Sequence, residues 1–388
     1  MDGSKISSPG RADGATSTIV KLGVVAVVVA AAWAGLRAQA PAKATAAPGP
    51  IAASSITNIS PRPAPACCGY PFPRNTDAEI ADGDVHRALY EDSRIMFLEV
   101  INPPLLDVHM HGHPYTSVFA HDSTTGPKIP DAPTNVGDTQ LDKSSPYNNM
   151  GSGNGRAPEG MMWPTCTDSA PQAPHRPYNT HMAPNHFYRL EFLRLDGDDF
   201  ATHWNEWYPD ATTPGKPVKN LTPGPALGPK FSDAWPYPIV YDEIQAAPNN
   251  YKLLFEDQKL RLVEVMIRPG ETTPMNGTPY PAVLAFNTVN TISHSNSEVT
   301  DKMVDPSSAL NGQGSGEGKA PSVYNLKVPL CMTMTARAPH AIHNGLSVPL
   351  HYYQIEYKRI DGDGLLTHWK EWYPFMMHMQ YMRTPPSS

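Results

Sequence analysis

Short runs that suit β-strands recur along this chain, separated by clusters of Gly, Pro, Asn and Ser. Residues 258–265 alternate apolar and polar side chains with a period of two, which puts one set on each face of a strand. Residues 93–100 are a looser version of the same run. Residues 117–120 and 282–285 read as short apolar strands, and 186–193 and 351–358 alternate aromatic with polar side chains. Helical periodicity is confined to two short stretches, 202–208 and 367–373. The 43 prolines fit strands joined by many turns better than a helical bundle. The pattern predicts an all-β chain built as sandwiches or small barrels.

The predicted strands come in matched pairs because the chain repeats itself. Tyr70-Pro71-Phe72-Pro73 returns 165 residues on as Trp235-Pro236-Tyr237-Pro238. At the same offset Glu99 matches Glu264, Cys166 matches Cys331, His175 matches His340 and Asn179 matches Asn344. The run Thr202-His203-Trp204-Asn205-Glu206-Trp207-Tyr208-Pro209 returns as Thr367-His368-Trp369-Lys370-Glu371-Trp372-Tyr373-Pro374. Two copies of this length imply two homologous domains, at 70–216 and 235–388, with a linker at 217–234. The middle of each copy, 122–160 and 287–322, is loop-like, and such loops serve either as walls of a binding site or as solvated excursions.

Chemistry concentrates in Val108-His109-Met110-His111-Gly112-His113-Pro114-Tyr115. On a strand His109, His111 and His113 would share one face, and adjacent imidazoles form a metal clamp suited to Zn, Cu, Fe or Ni. A surface histidine cluster is the plainer alternative. With net charge −7 and no basic face, the chain offers nothing to nucleic acid. Ahead of the repeats, Lys5, Arg11 and Lys21 precede an apolar run from Leu22 to about Leu36, followed by Ala38-Gln39-Ala40. Residues 1–40 are expected to be a signal peptide or, through 17–36, an uncleaved membrane anchor. The Ala/Pro-rich 41–69 reads as a linker. The bulk of the chain would then be exported, periplasmic or extracellular, where disulfides are allowed. Cys67 and Cys68 are adjacent and poorly placed to bridge each other. Cys166 and Cys331 are open to packing, to a bridge between the copies or, for Cys166, to the pocket.

Taken with the histidine run and the later Pro174-His175-Arg176-Pro177-Tyr178-Asn179, the chain resembles the cupin superfamily in its two-domain, bicupin form. The second copy carries the lead-in Arg268-Pro269-Gly270-Glu271 before Thr273-Pro274-Met275-Asn276-Gly277-Thr278-Pro279, and then Pro339-His340-Ala341-Ile342-His343-Asn344. The resemblance implies two tandem cupin-type, jelly-roll β-barrels. It also implies a metal on His111, His113 and His175, with His109 one step outside. The acidic ligand usual after the first motif is missing: Ser117 or Val118 stands near its place. The resemblance to decarboxylases with three histidines and a glutamate is weakened by that loss. The second copy has Asn276 and Thr278 at the histidine positions, keeps only His340, and is expected to be a structural or interface domain.

The implied cofactor is a divalent transition metal: Fe, Mn, Ni or Zn. The implied function is a metal-dependent enzyme acting on a small organic substrate, first an O2-using oxidoreductase. A lyase or isomerase, or a non-catalytic small-ligand binder, is the alternative. Three neutral ligands would leave the full metal charge and favour an anionic substrate. Tyr115 and His109 are the catalytic candidates, with His121 a further neighbour. Against this, Tyr115 is matched by Tyr280 in the ligand-poor copy, which suits packing. Barrel-to-barrel packing leaves room for a homo-oligomer.

Overall fold

The structure, a computed structural model, describes residues 70–106, 108–123, 126–130, 139–142, 144–147, 164–194, 216–217, 231–286, 299–303, 307–310, 330–346 and 349–378. The expected signal or anchor, the 41–69 linker and the 202–208 segment lie outside these. Among the described residues no helix is long and apolar enough to cross a membrane.

In the first repeat a short helix α1 (Ala78–Ala81) leads into β1 (His86–Glu91), β2 (Ile95–Asn102), β3 (His111–His113), β4 (Ser117–His121), β5 (Thr139–Gln140), β6 (Thr165–Ser169), β7 (Gln172–Arg176), β8 (Asn185–Phe192) and β9 (Lys216–Pro217). In the second, α2 (Glu243–Ala246) leads into β10 (Tyr251–Glu256), β11 (Leu260–Ile267), β12 (Asn276–Thr278), β13 (Ala282–Phe286), β14 (Val299–Met303), β15 (Leu330–Met334), β16 (Arg337–Asn344) and β17 (Leu350–Tyr357), and ends in helix α3 (Gly364–Trp372). The alternating runs thus become strands at nearly the expected places. The short strands β5 and β14 fall inside the two loop-rich stretches.

Each repeat forms two antiparallel sheets. The larger runs β6-β4-β8-β2-β1-β9 in the first copy and β15-β13-β17-β11-β10 in the second. The smaller runs β3-β7-β5 and β12-β16-β14. Apart from β9, which has no counterpart among the described residues, the order is the same strand for strand, with chain neighbours split between sheets, which is the double-sheet jelly roll. The fold is therefore all-β, and its sheets stay separate among the described residues instead of closing into one hydrogen-bonded barrel.

β2 and β11 are buried along all eight residues because both faces of the large sheets are covered. One face lines each repeat's own interior: Met96, Leu98 and Val100 in the first, Val263, Val265 and Ile267 in the second. The opposite faces meet in a core shared by both repeats, where Phe97, Tyr188 and Phe192 pack with Leu262, Tyr353 and Tyr357. Burying a large aromatic side chain in such a core stabilises by roughly 3–5 kcal/mol relative to alanine.

Polar ties cross the same contact in matched pairs. Arg94 donates to Glu264, with Nη2 3.1 Å from Oε2, and Lys259 Nζ donates to Glu99 Oε1 at 2.8 Å. His186 and His351 bond the same two glutamates at 3.1 and 3.0 Å. Helix α3 crosses over: Leu365, Trp369 and Trp372 pack into the interior core of the first repeat, beside Tyr115, Phe119 and Phe187.

Cys166 and Cys331, whose role the sequence left open, form a disulfide between the repeats. They sit on the edge strands β6 and β15, which come together where the two large sheets meet. The bridge joins positions 165 residues apart, so it confines the unfolded chain strongly. Replacing both cysteines with alanine is expected to lower stability by roughly 2–4 kcal/mol. Urea unfolding of this variant beside the oxidised and reduced wild type checks it, and the reduced protein should match the variant.

Candidate metal centre

Strand β3 is only His111-Gly112-His113, and the period of two turns both imidazoles inward. Glycine between them is required by a close approach: a Cβ at Gly112 would lie 2.1 Å from the Tyr70 hydroxyl and 3.2 Å from the Pro174 backbone nitrogen. β7 pairs with β3 so that His175 stands opposite His111. The ring centroids of His111 and His175 are 5.0 Å apart, and those of His113 and His175 5.5 Å. The three histidines expected together are brought together.

The structure adds a fourth that sequence reasoning missed. His86, the first residue of β1, places its ring 4.4 Å from His111 and 5.3 Å from His113. The ligand atoms of His86, His111 and His113 lie within 4.8 Å of one another, and His175 flanks this group. A signal existed. At the 165-residue offset His86 is matched by Tyr251, so it is lost in the same copy that loses His111 and His113.

Hydrogen bonds on the far side of three rings set their tautomers. Nδ1 of His111 bonds the His109 carbonyl at 2.8 Å, Nδ1 of His175 the Ala173 carbonyl at 2.9 Å, and Nδ1 of His113 Glu191 Oε1 at 3.1 Å. Each partner only accepts, so each Nδ1 donates and the Nε2 lone pair is left for a ligand, as at histidine metal sites. His86 Nδ1 lies 3.7 Å from Asp82 Oδ2. Burial, helped by the Arg189 charge, pushes the His86 ring down to about 3. Burial also holds His111 and His113 well below the usual histidine range, so all three are free bases at neutral pH. Burial pushes Asp82 up, against the pull of His111.

The other candidates sit elsewhere. Tyr115 is buried in the apolar core of the first repeat, the position of a packing residue. The His109 side chain is 45% exposed, with Nδ1 3.4 Å from Asp82 Oδ1, and its carbonyl orients His111. His121 is buried against Phe119 and Phe187, and desolvation lowers it to about 4. In the second repeat Thr278 donates to Glu243 Oε2 at 2.6 Å and Asn276 Nδ2 to the Pro274 carbonyl at 2.8 Å. His340 keeps the backbone bond of His175, Nδ1 to the Ala338 carbonyl at 2.8 Å, but has no imidazole beside it at the matched positions.

A second group, Asp122, His186 and Asp361, has metal-like spacing. Its chemistry is different. His186 bonds carboxylates through both nitrogens, Asp122 at 2.7 Å and Glu99 at 3.1 Å, and Lys259 Nζ stands 3.7 Å from Asp361. Burial opposes a charge on His186, but Asp122 and its other carboxylate partners raise it to about 9. A doubly donating imidazolium has no lone pair for a metal, so this is an ion network joining the repeats.

Among solved structures the chain is similar to a cupin domain protein from Bordetella pertussis Tohama I, at 13% identity over 28% of this chain and 90% of that one, with a TM-score of 0.18. It is similar to AerE from Microcystis aeruginosa at 10% identity over 70% and 97% of the two chains, TM-score 0.20. It is also similar to Bacillus subtilis oxalate decarboxylase, the subject of a study of its Mn(II) centres, at 12% identity over 68% of each chain, TM-score 0.17. No family model and no curated protein matches. Superpositions this partial carry no argument, so the fold rests on its strand order and the site on its own geometry.

The His186 network makes stability depend on pH. Its folded pKa lies above the unfolded value of about 6.5, so its contribution is full below that pH and is lost as pH rises through about 9. Urea unfolding between pH 6 and 10 should show a fall of up to about 3 kcal/mol across this window. Asp122→Asn should move the fall to lower pH. A flat profile in the wild type contradicts the assignment.

Proposed function

We propose that the first repeat holds a divalent transition metal on His86, His111, His113 and His175 and is a metal-dependent enzyme for a small organic anion. The observation that carries this reading is the buried group of four imidazoles, three of them oriented with Nε2 free. The donor set fits such an ion: the closest donors are all neutral nitrogens, as Fe, Mn, Ni and Zn sites use. When bound, the metal supplies Lewis acidity and, if redox-active, electron transfer with O2.

The rest is work for the chain. Glu191 and the carbonyls of His109 and Ala173 hold the rings in register. Burial excludes water from the rings, which are all at most 5% exposed. Among the described residues no carboxylate belongs to the close donor group; Asp82 stands behind the rings, 3.5 Å from His111 Nδ1, so a divalent ion here keeps net positive charge and favours an anionic substrate. That absence supports an O2-using oxidoreductase over the decarboxylase-like pattern with a glutamate ligand. A lyase or isomerase is the reading if the metal is zinc. The disulfide between Cys166 and Cys331 supports work in an oxidising compartment, in keeping with the apolar run near the N-terminus.

Elemental analysis of the purified full chain tests the reading, followed by O2 uptake with a panel of small carboxylic acids. Near-stoichiometric metal is expected in the wild type. His111→Ala should lose it, His86→Ala should retain far less of it, and His340→Ala should keep it. No metal in the wild type, or metal unchanged by His111→Ala and His86→Ala, leaves a ligand-binding protein without metal chemistry as the better account.

A further inference from the structure

The first repeat buries a cation that neither the fold nor the ligand set requires. Arg189, on β8, is 1% exposed. Its Nη1 donates to Gln172 Oε1 at 3.0 Å, its Nε lies 3.0 Å from Glu191 Oε1, and its Cζ sits 4.5 Å above the Phe119 ring. Its Nη2 has no hydrogen-bond partner among the described residues. A guanidinium offers five N–H donors and no acceptor, and leaving any of them dry is costly.

Arg87, bonded to Glu99, also leaves its Nη2 without a partner among the described residues, but its matched position keeps a cation, Lys252. Two further buried arginines are each held by two carboxylates. Arg94 is held by Asp92 and Glu264, and Arg261 by Asp242 and Glu356. Burial opposes the charge on both, yet their surroundings raise both above the ordinary arginine value. Among the described residues Arg189 has Glu191 as its one carboxylate partner, and burial lowers it to about 10, still a cation at neutral pH.

In the second repeat the strand matched to β8 folds without this charge. Gln354 stands at the matched position of β17 and bonds Glu243 and Glu356 at 2.7 and 2.6 Å. The copy that loses His86, His111 and His113 also loses the arginine, while the glutamate persists as Glu356. Position points the same way. Glu191 Oε1 touches both His113 Nδ1 and Arg189 Nε, and Gln172 pairs with His113 across β3 and β7. The guanidinium therefore lies one carboxylate away from the histidine group. Glu191 can offset only one positive charge, so Arg189 and a divalent ion together leave the site positive.

We propose that Arg189 Nη2 binds the carboxylate of the substrate, so that the first repeat takes small carboxylic acids with their acid group on Arg189 and the remainder facing the histidines. Arginine suits this task because its planar fork matches a carboxylate. The inference rests on the metal reading above and adds the chemical class and the residue that recognises it.

The test uses the full chain loaded with cobalt(II), whose visible absorption reports the metal environment, titrated with acetate and with its neutral counterpart acetamide. Wild type and Arg189→Gln, which copies the second repeat, are both expected to bind cobalt in the same ratio. Acetate should bind the variant roughly ten- to a hundredfold more weakly, the range for a charge-assisted hydrogen bond. Acetamide should bind both weakly and alike. Arg189→Lys, which keeps the charge but not the fork, should fall between and serves as the second variant if the glutamine form does not fold. Equal acetate affinity in a variant that retains cobalt overturns the role of Arg189 and leaves the metal reading standing. A wild type that takes up no cobalt overturns the metal reading and this inference with it.

Discussion

The back-to-back packing of the two large sheets is the contact on which the rest depends. It buries β2, β8, β11 and β17 on both faces, which a lone jelly roll would leave half wet. A sheet covered on both sides holds its strands in fixed register, and the register of β8 positions Glu191 behind His113. The price of dry packing is visible at its edge, where Glu99, Asp122, His186, Lys259 and Asp361 are buried and must satisfy one another. Removing one member strands the rest, at a cost on the order of 3–5 kcal/mol.

Within this frame the two repeats have the same strands and different interiors. The first surrounds an imidazole group with acceptors for Nδ1–H. The second fills the matched space with Tyr251, Asn276, Thr278 and Gln354, the last three bonded to glutamates or a backbone carbonyl. It still serves the first repeat, because α3 inserts Leu365, Trp369 and Trp372 into that repeat's interior core. A copy that lacks the imidazole group and keeps the fold shows which features the fold needs. Glycine between the paired positions, the inter-repeat glutamates and the histidine bonded to its neighbour's carbonyl persist. His86, His111, His113 and Arg189 do not.

What could be read from the sequence follows from range. Strand positions and the shared face of His111 and His113 depend on a period of two along one segment, so they were visible. His175 was reachable through the Pro-His-x-x-x-Asn spacing and the cupin resemblance. His86 was harder to reach, because it joins the group only through sheet topology and its one mark in the sequence is its replacement by Tyr251 in the second copy. The pairing of Cys166 with Cys331 depends on how the large sheets meet, which alternation does not encode. Arg189 looked like an ordinary polar residue in an alternating strand; only its buried Nη2 and its replacement by Gln354 set it apart. The C-terminal helix was expected from 367, and it begins at Gly364, but the repeat it packs against was not legible.

The central claim is that neutral imidazoles from β1, β3 and β7 converge on one ion. X-ray absorption at the edge of the bound metal measures this directly. The account predicts a first shell dominated by nitrogen at about 2.0–2.1 Å if the ion is zinc, with the multiple scattering of several imidazoles. That imidazole signal should shrink in His86→Ala. A shell of oxygens with no imidazole signature, or one containing sulfur, would contradict it.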